Sequence, residues 1–237
     1  MARVDKALIQ TRTLMRSLAG IEFEFRRPEL LSQALTHRSL GNPHNERLEF
    51  LGDAVLNLVV ADLLFRHRPD APEGDLSRLR ARLVREQTLA EIARELSLGD
   101  AVRLGPGELK SGGFLRASIL SDALEAIIGA VYLDGGYAAA DQVVSTLMLP
   151  RLQQLPDAEA LKDPKTRLQE LLQSRGLGLP VYEVVEEHGQ DHNRRFTVHC
   201  RVPQMEQPLE AAAGSRRKAE QAAARVALDQ IAGQSRS

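Results

Sequence analysis

Apolar residues recur at three- and four-residue spacings through residues 46–65, 76–98, 118–133 and 138–152, and no stretch there alternates apolar with polar. Such spacing lines one side of a 3.6-residue turn, so it predicts helices almost throughout the first part of the chain. Asn42-Pro43 reads as an N-cap followed by proline at the first helical position, and Gly135-Gly136 as a stop. Past the polar segment Gln153–Lys162, which carries Pro156, the period changes. Asp163-Pro164 opens a short amphipathic helix with Leu168, Leu171 and Leu172 on one face and Gly176 as its stop. Strand-like runs follow at 181–187 and 194–202, joined by a polar loop at 188–193, then a third run near 207–213. Gly214-Ser215 leads into an alanine-rich helix ending near Ile231. The expected fold class is multidomain: an all-α domain over 1–152, a linker over 153–162, and a small α+β domain in α-β-β-β-α order over 163–233.

The composition sets limits on partners. Of 237 residues, 43% are hydrophobic and 27% charged, as in ordinary globular chains. No apolar run approaches the ~18 residues that cross a bilayer, and Met1–Lys6 has the mixed charge of a helix rather than of a secretory leader. The expectation is a cytoplasmic protein with no membrane partner. The single cysteine, Cys200, rules out an internal disulfide and a cysteine-based zinc cluster. Net charge is −1; residues 1–161 carry 19 Lys+Arg against 22 Asp+Glu, and residues 162–237 carry 12 against 10. A polyanionic partner must therefore be argued from where charges sit, not from their sum.

The chemistry begins at Asn45-Glu-Arg-Leu-Glu-Phe-Leu-Gly-Asp-Ala-Val-Leu56. On a helix, Glu46, Glu49 and Asp53 fall within an arc of roughly 60°. Leu48, Leu51, Val55, Leu58 and Val59 take the opposite side. Three carboxylates on one strip repel one another unless something positive lies between them, and a hard divalent cation with oxygen ligands is the simplest such partner. A solvated helix start, where acids suit the macrodipole, would look the same. A second helix, 118–134, carries Asp122 and Glu125 as i, i+3 neighbours, flanked by the small residues Ala126 and Gly129. Gly52 likewise sits beside the first stripe, although glycine costs a helix about 1 kcal/mol relative to alanine. Small residues on both faces would let the two helices approach until their carboxylates share an ion. Phe50 projects from the carboxylate side, as either a contact within the domain or an anchor for a partner subunit.

Near the C-terminus, Ser215-Arg216-Arg217-Lys218 places three cations in the first turn of a helix, against its dipole. An arriving phosphate reverses that conflict, because helix-end amides and cations together make an anion site. A solvated charge run is the plainer reading. Residues 105–113 are glycine-rich but lack both Gly-Lys-Ser/Thr and G-x-G-x-x-G, so no nucleotide cofactor is expected and a tight turn is, with Lys110 near the ligand as an option. Arg78, Arg82 and Arg85 either meet phosphates or pair with nearby acids. His37, His44, His67, His188, His192 and His199 form no pair near the acidic helices, and His37 and His67 read as surface or helix-end residues.

The stretch 45–56 closely resembles the signature of the ribonuclease III family. Glu73-Gly-Asp-Leu-Ser-Arg78, Leu104-Gly-Pro-Gly-Glu-Leu-Lys-Ser-Gly-Gly113 and Ser121-Asp-Ala-Leu-Glu-Ala126 follow in that family's order and spacing, and the C-terminal module resembles a double-stranded-RNA-binding domain. The resemblance implies a homodimeric endoribonuclease that hydrolyses double-stranded RNA with Mg2+, Mn2+ being a plausible substitute. It implies 5′-phosphate and 3′-hydroxyl ends with short 3′ overhangs, and precursor ribosomal RNA and structured messages as substrates. Glu49 and Glu125 match direct metal ligands, with Asp53 and Asp122 holding the site and its water; Glu46 and Glu73 match acids of the cleavage valley. Phe50 matches an aromatic that enters a socket on the other subunit. Thr166, Gln169 and Glu170 match contacts to one minor groove, Gly189 and His192 to the next, and Ser215, Arg216, Arg217 and Lys218 to the phosphates between. The loop lacks the frequent proline, and Arg-Arg-Lys stands where paired lysines are usual. The alternative is a double-stranded-RNA-binding regulator that seldom cuts, against which the intact acidic set argues. A phosphohydrolase of small nucleotides leaves the C-terminal module unexplained.

Overall fold

The computed structural model describes residues 23–155, 162–189, 194–203 and 205–234. Met1–Lys6, most of the expected linker and His192 lie outside the described residues. The chain folds as two compact units, Met1–Ala158 and Glu159–Ser237.

In the first unit, helix α1 spans Pro28–Ala34, α2 Glu46–His67, α3 Glu73–Leu83, α4 Glu86–Glu95, α5 Pro106–Lys110 and α6 Ala117–Gln153. The core is the α2–α6 pair, with α4 also packed on α6. Leu56, Val59, Val60 and Leu64 of α2 and Leu120, Leu124, Ile127 and Ile128 of α6 are buried. Each such side chain removed from water contributes about 1.5–3 kcal/mol. The buried arc of α2 is centred on Gly52, and this corrects the expected apolar side: Leu58 lies roughly 120° round the helix from Gly52. Leu58 is 56% exposed.

Two other boundaries differ from expectation. Asn42-Pro43 does not start a helix. The carbonyl of Asn45 accepts the first helical bonds, from Leu48 N at 2.8 Å and Glu49 N at 2.9 Å, so α2 begins at Glu46 and Asn42-Pro43 lies in the preceding loop as a cis peptide. The periodic run 76–98 is two helices: Arg85 is extended (φ −67°, ψ 150°), and Thr88 Oγ1 donates to Arg82 O at 3.0 Å across the joint. Buried Leu79, Leu83, Leu89 and Ile92 keep the spacing on both sides, so periodicity alone conceals the break. Gly135-Gly136 behaves as read: Gly136 at φ 77° interrupts the helical backbone of α6.

In the second unit, α7 (Pro164–Ser174) precedes strands β1 (Val181–His188), β2 (Arg195–Arg201) and β3 (Leu209–Ala213), and α8 (Arg216–Gln234) closes it. The order β1-β2-β3 is antiparallel throughout, with Val181 opposite Arg201 and Phe196 opposite Ala213. Asp163 caps α7 by accepting Lys165 N at 2.9 Å, and Gly176 at φ 69° follows its end. Leu168 and Leu172 pack with Val198, Cys200 and the alanines Ala219, Ala223 and Ala227 of α8. Small alanines let α8 lie close against the sheet and α7. This is the expected helical domain followed by an α-β-β-β-α unit. Among the described residues, no helix is long and apolar enough to cross a membrane.

Candidate metal centre and nucleic-acid interface

Helices α2 and α6 cross where neither carries a side chain. A Cβ on Gly52 would lie 1.8 Å from Glu125 O, and one on Gly129 would lie 2.2 Å from Leu48 O. Both distances are impossible contacts, so only glycine permits this approach. The crossing brings the acidic residues of the two helices together. One carboxylate oxygen each from Glu49, Asp122 and Glu125 lies within 4.8 Å of the others.

Those charges resist being together. Burial, then the nearby charges of Asp53, Asp122 and Glu49, pushes Glu125 from 4.5 up to about 8. Burial is also the main cause raising Glu49, with Asp122 and Glu46 adding to it while Arg38 opposes. Asp122 is raised by burial and by Glu86, against a hydrogen bond from Ser121 and the charges of His37 and Arg38. Three half-buried carboxylates that disfavour their own ionisation form a donor set of hard oxygens alone. That set fits a divalent cation such as magnesium, which would restore all three to the charged form.

Of the other acidic residues read from the sequence, Asp53 stands close enough to act on Glu125, and its Oδ1 accepts Asn57 Nδ2 at 2.9 Å. Glu46 accepts Arg38 Nη1 at 3.1 Å and lies 3.8 Å from His44 Nδ1. Glu73 opens α3, where it accepts Ser77 Oγ at 2.6 Å, and does not line the cavity beside the cluster. That cavity, about 380 Å3, is bounded by His37, Arg38, Glu46, Glu49, Glu108, Arg116 and Asp122, among others. His37 therefore lines the site's approach, where the sequence suggested only a surface or helix-end residue. Arg38, Glu86 and Arg116 carry no signal in the sequence that ties them to the site, and Glu108 was read only as part of the run 104–113. Glu86 is joined to the acidic helices only by the fold, whereas Arg116 immediately precedes α6, Glu108 lies shortly before it and Arg38 shortly before α2. Arg78 pairs with the nearby acid Asp75, whereas Arg85 donates to the hydroxyl of Thr88 rather than to an acid.

Phe50 is 81% exposed, roughly opposite Gly52 on α2. Beside it runs an apolar groove of about 660 Å3 bounded by Leu30, Leu51 and Leu133.

In the second unit, Thr166, Gln169 and Glu170 share the exposed side of α7, opposite buried Leu168 and Leu172. Glu170 accepts Lys162 Nζ at 2.7 Å. Gly189, at φ 91°, begins the loop after β1. Ser215 Oγ accepts Lys218 N at 3.3 Å, leaving Arg216, Arg217 and Lys218 exposed at the start of α8.

The Ribonuclease-III-like family profile matches residues 27–152, and that of the double-stranded RNA binding motif matches residues 164–231. A protein named Ribonuclease 3 from Vibrio cholerae serotype O1 is 56% identical over 209 residues, covering 88% of this chain and 93% of that one. Ribonuclease 3 of Alkalilimnicola ehrlichii is 56% identical over 209 residues, covering 92% of its own length. The 2.2 Å crystal structure of the nuclease domain of ribonuclease III from Campylobacter jejuni superposes with TM-score 0.56 at 46% identity, covering 61% of this chain and 97% of that one. A second structure of that nuclease domain, described for flexibility in a region involved in dimer formation, gives TM-score 0.53 at 48% identity over 60% of this chain and 94% of that one. The chain belongs to the ribonuclease III family: it is a ribonuclease whose helical nuclease domain is followed by a double-stranded RNA binding motif.

Proposed function

We propose that this protein is a magnesium-dependent endonuclease of double-stranded RNA, acting as a homodimer in the cytoplasm on ribosomal precursors and structured messages. The observation that carries the proposal is the convergence of Glu49, Asp122 and Glu125 at the glycine crossing of α2 and α6. These three would hold the cation, Mg2+ or in its place Mn2+. When bound, it neutralises charge on the phosphoryl oxygens and acidifies a water for attack on phosphorus. Asp53, whose Oδ1 accepts Asn57 Nδ2, would take up a proton from such a water, and Glu125 would contribute to the same task from the opposite helix. Glu46 serves the cleavage valley at the cavity beside the cluster, and Glu73 serves it from the start of α3, outside that cavity. Hydrolysis by water leaves 5′-phosphate and 3′-hydroxyl ends with short 3′ overhangs, and no 2′,3′-cyclic phosphate.

Residues 163–233 hold the duplex, 1–152 cut it, and 153–162 link the two. A-form RNA closes its deep major groove to side chains and offers 2′-hydroxyls in a wide, shallow minor groove, so Thr166, Gln169 and Glu170 meet one minor groove, the Gly189–His192 loop the next, and Ser215–Lys218 the phosphates between. Phe50 and its neighbouring groove favour a two-fold dimer. An isologous interface places each ring in the partner's groove with a single self-complementary patch.

A long perfect RNA duplex incubated with the protein, with and without magnesium, tests the reading. The wild type cuts only with the metal. Glu125→Gln retains RNA binding and loses cleavage by at least about a hundredfold, the upper end of what losing even an outer-sphere partner of a metal costs. Equal cutting by the variant removes the metal assignment.

A further inference from the structure

The cavity beside the cluster is not uniformly acidic. Arg38 and Arg116 line it together with Glu49 and Asp122. Each guanidinium is held by a carboxylate: Arg38 by Glu46 at 3.1 Å and Arg116 by Glu108 at 2.9 Å. The segment that carries Arg38 is bonded to residues 103–105, which lead into α5 and Glu108, the partner of Arg116. His37 N donates to Arg103 O at 3.0 Å, Arg103 N to Leu35 O at 2.7 Å, and Gly105 N to Ser39 Oγ at 2.9 Å. A Cβ on Gly105 would lie 2.2 Å from Ser39 O, so the approach is one that only glycine allows. Two cations from distant parts of the chain are thus fixed to one scaffold beside the carboxylates.

An RNA strand brings a negative charge with every nucleotide, and the cluster with Glu46, Asp53 and Glu86 repels it. A cation between three carboxylates offsets only part of that repulsion. The Arg38 side chain is 69% exposed and its partner Glu46 47%; Arg116 is 46% exposed and Glu108 28%. Ion pairs this accessible to water are worth under about 1 kcal/mol, so they yield readily to a competing anion. A phosphate is a strong competitor, because it accepts two parallel guanidinium bonds.

Resting on the nuclease reading above, we infer that Arg38 and Arg116 form a phosphate seat for the strand being cut, exchanging Glu46 and Glu108 for backbone phosphates that flank the scissile one. Before RNA arrives, the two carboxylates act as stand-ins that keep the guanidiniums aimed into the cavity. The seat takes sugar-phosphate backbone and reads no base.

The test is duplex-RNA binding by the full-length protein in EDTA across a salt series, for wild type, Arg116→Gln, Arg38→Gln/Arg116→Gln and Glu108→Gln, followed by steady-state cleavage in magnesium. Each arginine removed lowers the slope of log affinity against log salt by about one, as a lost phosphate contact does. Glu108→Gln, which releases Arg116, tightens binding a few-fold. In cleavage, Arg116→Gln raises KM with kcat little changed, the pattern of lost uniform binding. Arg116→Lys keeps the charge and so keeps the slope, which separates a lost contact from a disturbed fold. A wild-type slope and KM in the double variant overturn the seat, as does Glu108→Gln binding as weakly as Arg116→Gln. A wild-type protein that leaves duplex intact in magnesium overturns instead the nuclease reading on which the seat rests.

Discussion

Glu125 concentrates the electrostatic conflict of the site. Its carboxyl is pushed from 4.5 up to about 8 by burial and by Asp53, Asp122 and Glu49. The linkage has a definite sign: in this interval the folded protein without metal holds a proton that the unfolded chain releases. The stabilisation is complete below 4.5 and is lost as pH rises through about 8. In EDTA, the melting temperature of the wild type is expected to fall relative to Glu125→Gln across that window, and added magnesium to reverse the fall. Parallel profiles for the two proteins would show that the carboxylates do not repel one another as described. The acidic residues themselves were legible in the sequence, because Glu49, Asp53, Asp122 and Glu125 repeat at helical spacings on two segments. His37, Arg38 and Arg116 were not: Arg116 directly precedes α6 without sharing the helical spacing of the acids, and His37 and Arg38 sit at the seam between 35–39 and 103–105, which has no local signature.

The crossing of α2 and α6 turns two separate stripes into one site. Its geometry depends on Gly52 and Gly129, each facing backbone of the other helix at a distance no side chain tolerates. Gly52→Ala forces the helices apart and is expected to destabilise the nuclease unit by on the order of 3 kcal/mol, the upper end of the usual overpacking range. It should also loosen the three-carboxylate cluster, since the atom its methyl would strike is Glu125 O. Thermal melts with and without magnesium measure both effects; a variant as stable and as metal-responsive as the wild type would contradict the close crossing. The sequence signalled small residues beside the acids, but it did not place Gly52 at the centre of the buried arc, and so it assigned Leu58 to the core. Helix boundaries were legible where glycine or a capping aspartate punctuates, as at Gly136, Asp163 and Gly176. They were hidden at Val84–Arg85, where apolar spacing runs through an extended residue.

At the scale of the molecule, one unit carries the acidic cluster and the other a basic helix start. This division explains why net charge was uninformative: −1 overall hides an acidic cluster and a basic helix start carried by separate units. Phe50 belongs to this scale, because its aromatic ring, 81% exposed beside an apolar groove, is left uncovered by the described residues of the single chain. Phe50→Glu is expected to shift the protein from dimer to monomer in sedimentation, while the spectrum of the folded helices is unchanged. A variant that sediments like the wild type would place the dimer contact elsewhere.

The most direct test of the cation site is to titrate Mn2+ into the RNA-free protein and follow the free ion by electron paramagnetic resonance, for wild type and Glu125→Gln. The wild type is expected to withdraw manganese from solution, excess magnesium to release it, and Glu125→Gln to withdraw far less. Equal uptake by the two proteins would contradict the cation site.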